Sequence, residues 1–259
     1  MQPLVVALAL LAAGTQSAMV CVPAGTFRMG CALDRRCDIV EGNAPPHDVT
    51  LSAFEIDRTE VTQAAYRACA DAGACTAASC GGGAATRNHP VACVSWKQAR
   101  DYCSWVHKRL PTESEWERAV RGTDQRPYPW GSNEPSCARA NFLGCGGASW
   151  PVGHAPAGAS AVGAFDMAGN VAEWVNDWMD STYYRSEAAA MDPTGPGRGE
   201  SRGVRGGAYD DPPSRAENAL HAALRGGADP QTRIPTIGFR CARSVPRGRG
   251  GLEPIEACR

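Results

Sequence analysis

Apolar and polar residues alternate from Met19 to Gly30, which predicts a strand ending at Gly30. A second alternation from Asp48 to Ile56 predicts another strand, with Val49, Leu51, Ala53 and Phe54 turned inward. The period then changes. Thr62 can cap a helix that carries Tyr66 and Cys69 and stops at Gly73. Ser95, with Gln98 three residues on, reads as a capping box for a helix over Trp96 to His107. Trp96, Ala99, Tyr102, Cys103 and Val106 share one face of that helix. Pro111 stops it. Thr112 with Glu115 forms a second capping box, for a helix that ends at Gly122 and turns Trp116, Ala119 and Val120 inward. These stripes are read as core.

Past Asp124 the periodicity fades. The stretch to Ser160 is rich in Gly, Pro and small polar residues, and is expected to be irregular, pinned by Trp130, Trp150 and a Cys137–Cys145 bridge. Asp192-Pro193-Thr194-Gly195-Pro196 marks a turn. No repeat of fixed period occurs, and no composition break divides the chain. Glycine (29) and proline (19) are plentiful in the 259 residues, consistent with short elements joined by long loops. A hydrophobic share of 43% still supplies a core. The formal net charge of −1 gives no drive toward nucleic acid.

Twelve cysteines, with no Cys-x-x-Cys pair, fit a disulfide framework better than a zinc ribbon or a thioredoxin-type site. The groups Cys31/Cys37, Cys69/Cys75/Cys80 and Cys137/Cys145 are spaced like local staples, and Cys258 can anchor the tail. The uninterrupted apolar run Leu4 to Ala13 is too short to span a bilayer and suits a signal-peptide core, with cleavage near Ser17 or Ala18. Export to a periplasmic or extracellular compartment is therefore expected, with no transmembrane segment. The expected division is a signal peptide over 1–18, a domain over 19–243 and an extended tail over 244–259.

Four blocks define a family resemblance. They are Arg109-Leu110-Pro111-Thr112-Glu113-Ser114-Glu115-Trp116-Glu117, Asp166-Met167-Ala168-Gly169-Asn170-Val171-Ala172-Glu173-Trp174, Arg205-Gly206-Gly207-Ala208-Tyr209 and Ile237-Gly238-Phe239-Arg240-Cys241. In this order and spacing the chain resembles the formylglycine-generating enzyme family, also called the sulfatase-modifying factor family. The resemblance starts at Met19 and runs to about Arg243. It implies a compact α+β domain with C-type-lectin-like topology, little regular secondary structure and disulfide staples. It also implies a Cys103–Cys241 bridge.

The resemblance implies a calcium site at Asp166 and Glu173 (side chains) and Met167, Gly169 and Val171 (carbonyls). Hard oxygen donors on a loop bent at Gly169 suit that ion. From residue types alone the same segment also reads as surface charges flanking a plain turn. The family's second calcium site, at the position of Asn141, is not expected here, because no acidic residue stands between Phe142 and Val152.

The family's enzymes oxidise a sulfatase cysteine to formylglycine with oxygen, on copper(I) held by two cysteines, beside a tryptophan and a serine. Matching the motifs puts Ala172 at the tryptophan position, Ala208 at the serine, and Asp211 and Ala216 at the cysteines. No cysteine lies between Tyr209 and Phe239. Copper(I) prefers soft thiolates, so a copper site is not expected. Asp210, Asp211, Glu217 and His221 could form a replacement acid–base or metal group, although Asp210-Asp211-Pro212-Pro213 also reads as a plain turn. No nucleophile elbow, phosphate loop or His-Glu-x-x-His motif is present. The expected function is an exported binding or scaffold module for a protein, peptide or glycan. The alternative is an active formylglycine-generating oxidase.

Overall fold

A computed structural model describes residues 18–30, 46–80, 86–180, 182–212, 219–245 and 258. Cys31, Cys37, Ala216, Glu217 and most of the signal segment and tail lie outside them. The expected strand over 19–30 is two strands, β1 (Met19–Val22) and β2 (Gly25–Met29). The expected strand over 48–56 is likewise β3 (His47–Leu51) and β4 (Phe54–Asp57). Val22 pairs with Phe54 and Gly25 with Leu51, so Pro23-Ala24 breaks one strand opposite Ser52-Ala53 in the other. Proline cannot donate to the ladder, and the ribbon bends there. The break shifts the side-chain alternation by one residue. Phe54 and Ile56 are buried, whereas Ala53 is only half-buried.

Three helices follow, each capped by the residue its sequence names. They are α1 (Gln63–Asp71), α2 (Trp96–Trp105) and α3 (Glu113–Arg121). Thr62 accepts the N–H of Ala65, and both capping boxes are closed. Helix α2 stops before His107, whose φ of +57° is not helical. Five further strands complete the fold: β5 (Ala172–Trp178), β6 (Arg202–Arg205), β7 (Gly226–Ala228), β8 (Ile237–Gly238) and β9 (Ala242–Ser244). The sheets have the orders β1-β4-β9, β2-β3 and β7-β6-β5-β8.

Helix α3 runs through the centre, with all nine residues buried. The Trp116 ring packs among the ribbon's apolar side chains. Its two inner glutamates are neutralised from the β6 side. Arg205 bridges Glu113 (2.9 Å) and Glu117 (2.7 Å), Arg225 binds Glu113 through Nε (2.8 Å), and Arg121 binds Glu117 (2.7 Å). A second core gathers α1, α2 and β8 around Trp174. Indole N–H groups tie the layers: Trp174 donates to the Val94 carbonyl (3.0 Å) and Trp96 to the Val175 carbonyl (2.8 Å).

Disulfides staple the loops. Cys69–Cys75 and Cys137–Cys145 close short loops, and Cys80 reaches Cys93. Cys103–Cys241 joins α2 to the segment before β9, and Cys21–Cys258 ties the tail to β1. As expected from its composition, 124–160 carries only one short 3-10 turn, Pro156–Gly158. Trp130 stacks on Tyr128 there, with ring centroids 5.2 Å apart.

Candidate functional site

The loop entering β5 holds three left-handed residues within five positions: Asp166 (φ +56°), Gly169 (+78°) and Asn170 (+64°). Only glycine fits at 169, since a Cβ there would stand 2.2 Å from the Asn141 carbonyl oxygen. The loop is pinned by its backbone. Gly169 N–H donates to Gly206 O (2.8 Å), Asn170 N–H to Asn141 O (2.9 Å), and Tyr209 N–H to Asn170 O (3.0 Å). The Asn170 side chain adds a hub. Its amide donates to Glu60 Oε1 (2.9 Å), and its Oδ1 accepts from the Trp150 N–H (2.8 Å) and Asn141 Nδ2 (3.2 Å). The second and third sequence blocks thus lie side by side.

The two carboxylates expected to share a cation have different hydrogen-bond partners. Glu173 is gripped by Arg240, whose Nη2 and Nε reach its two oxygens at 2.7 Å each, and by Trp116 Nε1 at 2.8 Å. Arg240 also donates to the carbonyls of Asp57, Arg58 and Phe165, so a guanidinium already fills that cradle. Asp166 accepts the Gly153 N–H at 2.5 Å and faces Glu60 instead. Glu60 is fully buried, and its Oε2 has no partner. Burial, and then the Asp166 charge, push the Glu60 carboxyl well above its usual range; burial raises Asp166 as well. Three carboxylates, Glu60, Asp166 and Glu173, act on one guanidinium, that of Arg240.

Calcium can fit this arrangement only in part. Asp166 and the unpartnered Glu60 oxygen are suitable donors, as are the carbonyls of Met167, Gly169 and Val171, while Glu173 is largely committed to Arg240. Among the described residues no three His, Cys, Asp or Glu side chains converge as a metal-holding group. Carbonyl oxygens would therefore have to supply most of the shell. Glu60 was not legible in the sequence as part of this site. It precedes the α1 cap, where an acidic residue reads as ordinary helix-start polarity.

Of the four positions matched to the family's catalytic residues, Ala172, Ala208 and Asp211 lie within the described residues and carry other chemistry. Ala172 opens β5, pairs with Ile237 and donates its N–H to Thr236 O (2.8 Å). Ala208 N–H donates to Asp211 Oδ2 at 2.7 Å, and Asp211 N–H returns to Ala208 O at 3.2 Å. Asp211 thus closes a turn. Asp210 is exposed, and His221 is buried with Nδ1 accepting the Ala223 N–H (3.2 Å). Among the described residues Asp210, Asp211 and His221 form no metal-holding group, and Glu217 lies outside those residues. Beside Tyr209 opens a cavity of about 440 Å³, lined in part by Tyr66, Arg67, Val91, Ser149 and Pro235. All ten described cysteines are bridged, so none of them offers a thiolate.

The buried Glu173–Arg240 pair, the Asn170 hub and the central α3 define a formylglycine-generating-enzyme-like α+β domain, with a C-type-lectin-like fold. Residues 9–245 match the model of the family described as "Sulfatase-modifying factor enzyme 1-like domain", and the chain belongs to that family. It is 33% identical to a formylglycine-generating enzyme of Thermomonospora curvata over an alignment of 283 residues, covering 86% of this chain and 92% of that protein. It is 32% identical to a hercynine oxygenase of Mycolicibacterium thermoresistibile, covering 90% of this chain and 60% of that one. Among solved structures, PvdO from Pseudomonas aeruginosa superposes with a TM-score of 0.73 at 27% identity, covering 88% of this chain and 95% of that one.

Proposed function

We propose that this protein is an exported, disulfide-stapled binding module of the sulfatase-modifying factor family. It recognises a protein, peptide or glycan in the cavity beside Tyr209 and does not carry out copper-dependent oxidation. One observation carries the reading. Where the family's oxidases place copper-binding thiolates, this chain has Asp211 and Ala216, and the ten described cysteines are consumed in bridges. Carboxylate oxygen is a hard donor and holds copper(I) poorly. Ala172 and Ala208 replace the tryptophan and serine as well. The five bridges and the apolar run Leu4 to Ala13 support export.

The second reading, an active formylglycine-generating oxidase, is favoured by the identity to relatives that bear that name. The two separate cleanly. The protein is incubated with a Cys-x-Pro-x-Arg peptide, copper and oxygen, and the peptide is weighed. No change is expected; a loss of about 18 mass units, thiol to aldehyde, would overturn the binding-module reading.

Calcium is proposed to neutralise the Asp166–Glu60 pair, with carbonyls of Met167, Gly169 and Val171 completing the shell. Calorimetry on chelator-stripped protein is expected to show saturable heat and a raised melting temperature. Absence of both would leave the pair held by a shared proton.

A further inference from the structure

Ser149 lines the Tyr209 cavity, and the His89 ring lies beside it with Nδ1 3.1 Å from the Ser149 Oγ. We propose that this pair makes the cavity an acyl-transfer site, in which Ser149 is the nucleophile and His89 its base, acting on a carboxylic ester with a short acyl group. The inference rests on the reading of this cavity as the ligand cleft and adds a reaction to it.

Both partners are held in place by their backbones. The Ala148 carbonyl accepts Asn141 Nδ2 at 2.9 Å, and the Trp150 N–H donates to Asn170 Oδ1 at 2.8 Å, so Ser149 stands between two pinned neighbours. The His89 N–H donates to Thr86 O (2.8 Å), and the His89 carbonyl accepts the Gln63 N–H (2.9 Å). The Val152 N–H donates to Asn88 O at 2.9 Å, which ties the serine loop to the histidine segment. A hydroxyl is a weak nucleophile until a base takes its proton. In the tautomer that carries its proton on Nε2, the His89 Nδ1 is that base.

The attacked carbonyl also needs donors, because its oxygen gains negative charge. The loop supplies them next to the nucleophile. The amide N–H groups of Ala148 and Ser149 have no acceptor among the described residues, and both residues line the cavity. In a trans peptide the N–H points opposite to the C=O, so holding the Ala148 carbonyl on Asn141 turns the Ser149 N–H away from that side chain.

In the first step the Ser149 Oγ bonds to the ester carbon while its proton passes to His89. The bond from that carbon to the alcohol oxygen then breaks, and the alcohol leaves with the proton. Water attacks the acyl-serine by the same route, releasing the carboxylic acid and restoring the hydroxyl. No carboxylate binds the other His89 nitrogen among the described residues, so the imidazolium lacks the brace of a serine–histidine–aspartate triad. An ester, whose alcohol leaves more readily than the amine of an amide, suits such a pair. The apolar walls at Ala70, Ala77, Val91 and Ala92 suit a short acyl chain.

The full protein is incubated with 4-nitrophenyl acetate, and separately with phenylmethanesulfonyl fluoride followed by peptide mapping. Release of nitrophenolate that saturates with ester, and a single sulfonyl label on Ser149, are expected. Ser149→Ala should lose both, and His89→Gln should slow both by roughly 10²-fold. Release no faster than from Ser149→Ala, or a label placed elsewhere in the parent protein, would overturn the assignment whether or not the variants fold. Acetanilide, the amide analogue, reports occupancy of the cavity through amide chemical shifts. Saturable shifts at Ala148, Ser149 and Tyr209 without ester turnover would overturn the dyad and leave the ligand cleft standing. Neither shifts nor turnover would overturn the dyad and count against the cleft as well.

Discussion

Asp177 and Glu113 are buried side by side and titrate in opposite directions. Burial works against ionising either group. For Glu113 the charges of Arg225 and then Arg205 overcome it, and the carboxyl is held at about 2. Asp177 has no such partner. Its Oδ2 accepts the Glu113 N–H at 2.9 Å, its Oδ1 has none, and burial plus the Glu113 charge push it up to about 8. The sign follows from linkage. An unfolded aspartate loses its proton near pH 3.8, while the folded one keeps it to about 8. Its contribution is therefore most favourable below the unfolded value and is lost as pH rises through that window. Asp177→Asn is neutral and keeps an acceptor for Glu113. It should be more stable than the parent at pH 8 by about 2–4 kcal/mol, with a much smaller gap at pH 4. Denaturant unfolding of both proteins across that range checks it, and a gap that fails to widen with pH would remove the argument.

At the scale of elements, the three helices were legible because their signals are local. Thr62, Ser95 and Thr112 cap as read, and Gly122 ends α3 at φ +63°. The ribbon was half legible. Its alternation marked strands, but the break at Pro23-Ala24 opposite Ser52-Ala53 depends on a pairing partner 30 residues away, which one segment cannot announce. Strand β5 was invisible to periodicity. It packs between layers, so Glu173, Trp174, Val175 and Asp177 are all buried and no polar face alternates with an apolar one. The burial of the glutamates of helix α3 was not legible either, because Arg205 and Arg225, from far along the chain, allow them inside. The candidate site shared this limit. Its loop could be read from the Asp166 to Glu173 block, but Glu60, more than a hundred residues earlier, joins it only through the fold.

Across the whole molecule, long-range covalent closure carries what small, irregular elements cannot. Few strands exceed five residues, and the loops between them expose backbone that a larger sheet would protect. The Cys103–Cys241 bridge spans 138 positions and lies fully buried in the second core beside Phe239 and Leu110. It links α2 to the segment holding Arg240 against Glu173. Closing a loop of that length removes unfolded-state freedom worth about 5 kcal/mol in the chain-entropy model. Replacing both cysteines by serine should lower unfolding stability by roughly 3–5 kcal/mol, the buried hydroxyls adding to the loss. The short Cys137–Cys145 loop, separation 8, should cost less when opened the same way, because closure entropy grows with loop length. Guanidinium unfolding of the two double variants sets the order, and a larger loss for the short loop would show that local strain and packing, not chain closure, dominate the framework.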